Sequence, residues 1–194
     1  MKSNDSEKLK PSIEELKKEL KRENKKVEYK KILGNTLVVV VVVSALAVLI
    51  SSFFLTVLRV SGESMTPTLE TGQIVIANNS TSFEPGELVA FYYNNKVLVK
   101  RVVGSPGDWI NIDEDGNVYV NGELLDEPYV STKSFEPTNI EFPYQVPENR
   151  WFVLGDHRDV SIDSRSSEVG CVTKEQLIGK VVFRVFPFNT FGGL

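Results

Sequence analysis

The sequence predicts a mostly β fold behind a single N-terminal membrane-spanning helix. Three observations predict it: a 23-residue run without charge near the start, short apolar runs broken by Gly, Pro and Asn after it, and no long amphipathic helix in that later part. Net charge divides the same way. Residues 1–31 carry +4 and the remainder −8. That asymmetry points to a membrane-facing segment, and the acidic remainder excludes nucleic acid as a partner, because binding phosphates needs a positive face. One cysteine, Cys171, excludes an internal disulfide, and with one histidine, His157, there is no Cys/His zinc set. No metal or cofactor is expected.

Residues 1–10 are polar and are expected to be disordered. Ser12 and Glu15 fit a capping box, so a helix should start after Pro11-Ser12. From Ile13 to about Ile32 that helix is Glu/Lys-rich, with an aliphatic stripe too thin for a core, and reads as solvated. Thr36–Leu58 then has no charge. At a helical rise it spans about 35 Å, against a hydrocarbon thickness of about 30 Å. Its six consecutive valines favour strand in water, but lipid forbids an unpaired strand, so a helix is expected. Lys30 and Lys31 flank its start and only Arg59 its end, which predicts a cytoplasmic N-terminus and an extracytoplasmic remainder. A cleaved signal peptide is the rival reading, since Ser44-Ala45-Leu46-Ala47 looks like a small-residue cut site. The length of the basic and apolar parts favours an uncleaved anchor. The expected divisions are a charged helical segment at 1–31, an anchor at 32–59 and a β-rich domain at 60–194.

Within that domain the expected strands are Gln73–Ala77, Leu88–Tyr93, Lys96–Val103, Trp109–Ile112, Asn117–Val120, Trp151–Leu154 and Ile178–Val185. Asn121-Gly122 should form a tight hairpin turn, because both positions tolerate positive φ. Pro85-Gly86 and Pro106-Gly107 mark further turns. Residues 130–149, rich in Ser, Thr, Pro and Glu, read as a long surface loop.

Three polar clusters could carry chemistry. Ser64 follows Gly62 and precedes Pro67, on constrained backbone whose N–H groups could bind an oxyanion. It could equally be a turn serine. Its place five residues past Arg59 keeps it within about 18 Å of extended chain from the membrane end. Lys100-Arg101 interrupts an apolar strand, and alternation sends one to each face. A buried lysine there loses charge and becomes a competent base, whereas an edge lysine would only guard against aggregation. Residues 155–165, GDHRDVSIDSR, are either a solvated loop or an internally bonded support for a site.

In order, these clusters resemble the signature of bacterial type I signal peptidases, in particular the short Gram-positive-type members. The nucleophile motif S-M-x-P-T-L is matched by Ser64–Leu69, and the lysine motif K-R-x-x-G-x-P-G-D by Lys100–Asp108. The motif G-D-N-R-D-N-S-x-D-S-R is matched by residues 155–165 except at His157 and Val160. The resemblance implies a signal-peptidase-like β domain and a serine endopeptidase with a Ser-Lys dyad. Ser64 would be the nucleophile, Lys100 the general base, Ser161 the serine orienting the lysine, and Asp163 with Arg165 a supporting ion pair. Gly62 stands where some members supply a second oxyanion donor from a serine, which leaves that donor open. The implied substrates are signal peptides of exported preproteins, cut after a small residue in an Ala-X-Ala type site. The bilayer and the secretion translocon are the implied surroundings. Competing readings are a Ser-His-Asp hydrolase using His157, a signal-peptidase-like assembly factor for surface pili without essential catalysis, and a soluble self-cleaving repressor.

Overall fold

The computed structural model describes residues 12–136 and 138–194. The polar start expected to be disordered lies outside the described residues. The chain falls into two compact units, residues 1–51 and 52–194.

A single helix, α1 (Ile13–Phe54), joins the charged and apolar stretches without a break. Its start is the expected capping box. Ser12 Oγ accepts from the Glu15 N–H at 3.3 Å, and Glu15 Oε2 accepts from the Ser12 N–H at 2.9 Å. Among the described residues, Leu37–Val43 are all at least half exposed. Among the described residues α1 alone is long and apolar enough to cross a membrane.

The helix ends at Phe54, four residues before the uncharged run does. Leu55–Arg59, expected to continue the helix as far as Leu58, instead forms strand β1. The reason is long-range. β1 pairs antiparallel with β2 (Ile74–Asn78), from Leu55 opposite Asn78 to Arg59 opposite Ile74, which satisfies its backbone groups. Leu58 also packs against buried Met65, Leu69 and Val75. The uncharged residues left to the helix, 36–54, still span about 28 Å.

The remaining strands are β3 (Leu88–Tyr93), β4 (Lys96–Gly104), β5 (Trp109–Ile112), β6 (Val118–Val120), β7 (Glu123–Leu124) and β8 (Tyr144–Gln145). They continue with β9 (Arg150–Leu154), β10 (Val172–Thr173), β11 (Leu177–Phe186) and β12 (Gly192–Gly193). All seven strands expected from the sequence are present, with ends within one residue. The larger sheet runs β1-β2-β11-β3-β4-β9-β10, with β12 also on β11, and the smaller runs β7-β6-β5-β8. Asn121 and Gly122 both have positive φ, +54° and +84°, and close the two-residue turn between Val120 and Glu123.

Three apolar clusters hold this unit together. β3 is covered on both sides, Leu88 and Ala90 facing Met65 and Leu69, and Val89 and Phe91 facing Trp151 and Val153. A third cluster, with Ile110 and Val118 against Phe152 and Leu154, joins the two sheets. The segment 130–149 is more than a surface loop. Phe135, Ile140 and Phe142 pack on the third cluster, and Tyr144–Gln145 pair with β5. Its Ser/Thr/Pro/Glu composition hides five aromatic or aliphatic anchors among the described residues, Phe135, Ile140, Phe142, Tyr144 and the buried Val146.

Candidate active site

Ser64 sits on a turn between β1 and β2 that its own neighbours tie down. Thr66 donates to the Glu63 carbonyl twice, from N–H at 3.0 Å and from Oγ1 at 2.8 Å. Met65 and Leu69 drop into the core, and the Leu69 N–H bonds to the Met65 carbonyl at 2.8 Å. Truncating Leu69 would cost about 2–5 kcal/mol, so the turn is anchored firmly. Gly62 has φ +94°, a conformation that favours glycine, and its carbonyl accepts from Thr71 Oγ1 at 2.8 Å. A serine at this position would meet open space but a strained backbone. The Ser64 N–H has no acceptor among the described residues, which leaves it able to donate to an oxyanion.

Lys100 is on β4, opposite Val89 of β3, and alternation puts it on the face of Leu98 and Val102. It is 2% exposed. Its Nζ donates to Ser161 Oγ at 3.0 Å. Burial pushes its pKa from 10.5 down to about 8; nearby Asp163 and Asp156 oppose that shift and Arg165 adds to it. The edge-strand reading of this lysine is therefore excluded. Among the described residues the Ser64 hydroxyl hydrogen-bonds to neither Lys100 nor His157. The structure brings the lysine to Ser161, and brings Ser161 to the serine turn through Gly155. A Cβ on Gly155 would lie 2.2 Å from Ser161 Oγ and 2.5 Å from the Ser64 carbonyl, so only glycine fits between them.

The loop 155–165 is not solvated. Asp156, Arg158, Ser161, Asp163 and Arg165 are all buried. Arg165 grips Asp163 with Nε and Nη2 at 2.9 and 3.0 Å, and Asp163 Oδ2 accepts from the Gly155 N–H at 3.0 Å. Further guanidinium bonds reach the Arg158 carbonyl at 2.6 Å and the Ser134 carbonyl at 2.8 Å. The ion pair therefore closes the loop on itself and stitches it to the 130–149 segment. With both charges buried and their polar atoms bonded, the loop has the rigidity a supporting scaffold needs.

Sequence reasoning missed the partners that lie far along the chain. Arg101 donates bidentately to Asp156, at 2.9 and 2.7 Å, and stacks 3.8 Å over the Tyr129 ring. Thr68 Oγ1 donates to the same carboxylate at 2.5 Å, linking the serine turn to β4 and to loop 155–165. Arg158 forms a buried pair with Glu127, and its Nε bonds to the Gly155 carbonyl at 3.0 Å. The one available signal was charge density in residues 155–165, which said that partners were needed but not which.

A cleft opens beside Ser64, lined by Leu58, Arg59, Val60, Ser61, Met65 and Val99. A serine on a held turn, a buried lysine of lowered pKa and a cleft next to the serine are parts that a serine hydrolase without a histidine base would need. The family model described as signal peptidase, peptidase S26 matches residues 33–186. A signal peptidase I of Bacillus amyloliquefaciens is 33% identical over 181 residues, 88% of this chain and 97% of the relative. Signal peptidase I S of Bacillus subtilis is 35% identical over 77% of this chain and 87% of its own. Signal peptidase IB of Staphylococcus aureus is 35% identical over 84% and 94%. A solved signal peptidase I from Enterococcus faecalis V583 is 28% identical over 51% of this chain and 96% of its own, with a TM-score of 0.42, too low to bear on the fold. The chain belongs to the signal peptidase family, peptidase S26, and is a serine peptidase.

Proposed function

We propose that this protein is a membrane-anchored endopeptidase that removes N-terminal signal peptides from exported preproteins with Ser64 as nucleophile and Lys100 as general base. The observation that carries the assignment of the base is the buried Lys100, held at 3.0 Å by Ser161 with its pKa lowered to about 8. A lysine so placed is neutral in a useful fraction near neutral pH, as a base must be.

In the proposed reaction Ser64 Oγ attacks the scissile carbonyl carbon and its proton passes to Lys100 Nζ. The tetrahedral oxyanion takes a hydrogen bond from the free Ser64 N–H. Collapse breaks the C–N bond, and Lys100 returns the proton to the departing amine. Water then attacks the acyl ester, giving a proton to Lys100, and as the ester C–O bond breaks Lys100 passes that proton to Ser64 Oγ, freeing the serine and the product carboxylate. Ser161 keeps Lys100 aimed throughout. Leu58, Val60, Met65 and Val99 give the cleft an apolar side, with Arg59 and Ser61 also lining it, and that side suits small residues beside the cut and an Ala-X-Ala preference. α1 would anchor the chain with its Lys-rich end in the cytoplasm, and place the β unit beside the bilayer and the translocon.

Preprotein cleavage by wild type, Ser64→Ala and Lys100→Ala in detergent tests this. Both variants should lose essentially all activity while folding normally. Activity surviving in Ser64→Ala would overturn the reading. So would a cellular role untouched by Ser64→Ala together with no cleavage by wild type, the outcome expected of a pilus-assembly factor.

A further inference from the structure

We infer that His157 is a positioning residue for Ser64, hydrogen-bonded to the serine turn and not acting as a base. The inference rests on Ser64 being the nucleophile.

Residue 157 holds that turn at three points. Its backbone N–H donates to the Ser64 carbonyl at 3.1 Å. Its ring Nδ1 lies 2.8 Å from Thr66 Oγ1 and 3.2 Å from the Glu63 carbonyl. The Thr66 hydroxyl has one proton and two neighbours at 2.8 Å, the Glu63 carbonyl and Nδ1. On the far side Nε2 lies 3.2 Å from Asp159 Oδ1. With the ring proton on Nε2 it is donated to Asp159 and Nδ1 accepts from Thr66; with the proton on Nδ1 it is donated to Thr66 Oγ1 and the Glu63 carbonyl. In either tautomer Nδ1 is bonded to the turn that carries Ser64, and neither ring nitrogen hydrogen-bonds to the Ser64 hydroxyl among the described residues.

A base and a positioning group make different demands at this position. An asparagine keeps a hydrogen-bonding amide near the Nδ1 position but has no basic nitrogen. Leucine has nearly the shape of asparagine and no hydrogen-bonding group. The test measures kcat and KM for preprotein cleavage by the full-length enzyme in detergent, for His157→Asn, His157→Leu, Thr66→Val and the Leu/Val double variant, with Ser64→Ala as control.

His157→Asn should retain kcat to within about threefold, and His157→Leu should lose about tenfold in kcat with little change in KM, the size of one lost hydrogen bond. The double variant should lose less than the two single losses multiplied together, because both substitutions remove the Thr66–His157 link. Equal activity of the Leu variant and wild type overturns the inference. So does equal impairment of the Asn and Leu variants, and near-complete loss in His157→Asn would make the ring a base. Thermal unfolding of each variant separates a lost position from a lost fold: a kcat loss tracked by an equal loss of folded protein also overturns it. An inactive Ser64→Ala control beside a fully active His157→Leu sinks this inference alone. An active Ser64→Ala control sinks the nucleophile assignment itself.

Discussion

Residues 13–32 and residues 155–165 are both dense in charge, and the fold treats them oppositely. On α1 the charges are exposed; the Lys26–Glu23 contact at 2.6 Å has both side chains more than half in water. In the loop, Arg165 and Asp163 sit at 2.9 Å with neither side chain exposed. The difference shows that composition does not decide whether charges are solvated or structural. What decides is whether each charge finds enough fixed partners to replace water. The helix offers neighbours one turn away and open solvent. The loop offers its own backbone carbonyls, β4 and the 130–149 segment.

The comparison can be broken in graded steps. Arg165→Ala should destabilise the 52–194 unit by about 3–5 kcal/mol, because it strands a buried carboxylate. Denaturant unfolding in detergent measures it, and a loss below about 1 kcal/mol would put the loop with the helix. Lys100→Met should remove a pH dependence. The folded pKa of about 8 lies below the unfolded value, so the unfolded chain binds more protons between the two. Wild-type stability should therefore rise with pH from about 8 to 10.5 relative to Lys100→Met, by about 3 kcal/mol in all. Parallel curves would mean an unperturbed lysine. Gly155→Ala should cost about 1–3 kcal/mol and at least about tenfold in cleavage, since its Cβ would push Ser161 and Ser64 apart. Lys26→Ala should change stability by less than about 0.5 kcal/mol.

Much of this molecule was legible in its sequence where the deciding interactions are local. The capping box at Ser12, the Asn121-Gly122 turn and the seven strand cores follow from side-chain periodicity and backbone preference. The exceptions depend on distant residues. Leu55–Leu58 continues an apolar helix by every local sign and becomes a strand only because β2 is there to pair with it. Alternation showed that Lys100 and Arg101 part company, but that both faces of β4 are covered depends on Trp151, Val153 and Met65 from elsewhere in the chain. Arg101 finds Asp156 and Arg158 finds Glu127 across the fold, and no spacing in one sequence announces such pairs. His157 is a departure from the family motif in the sequence, and its contacts to Glu63 and Thr66 emerge only in three dimensions.

The most direct test of the account is the pH dependence of kcat/KM for preprotein cleavage. If buried Lys100 is the base, activity should rise with pH through a single ionisation near about 8, where burial has placed its pKa. A rise only near 10.5, the ordinary lysine value, would contradict it.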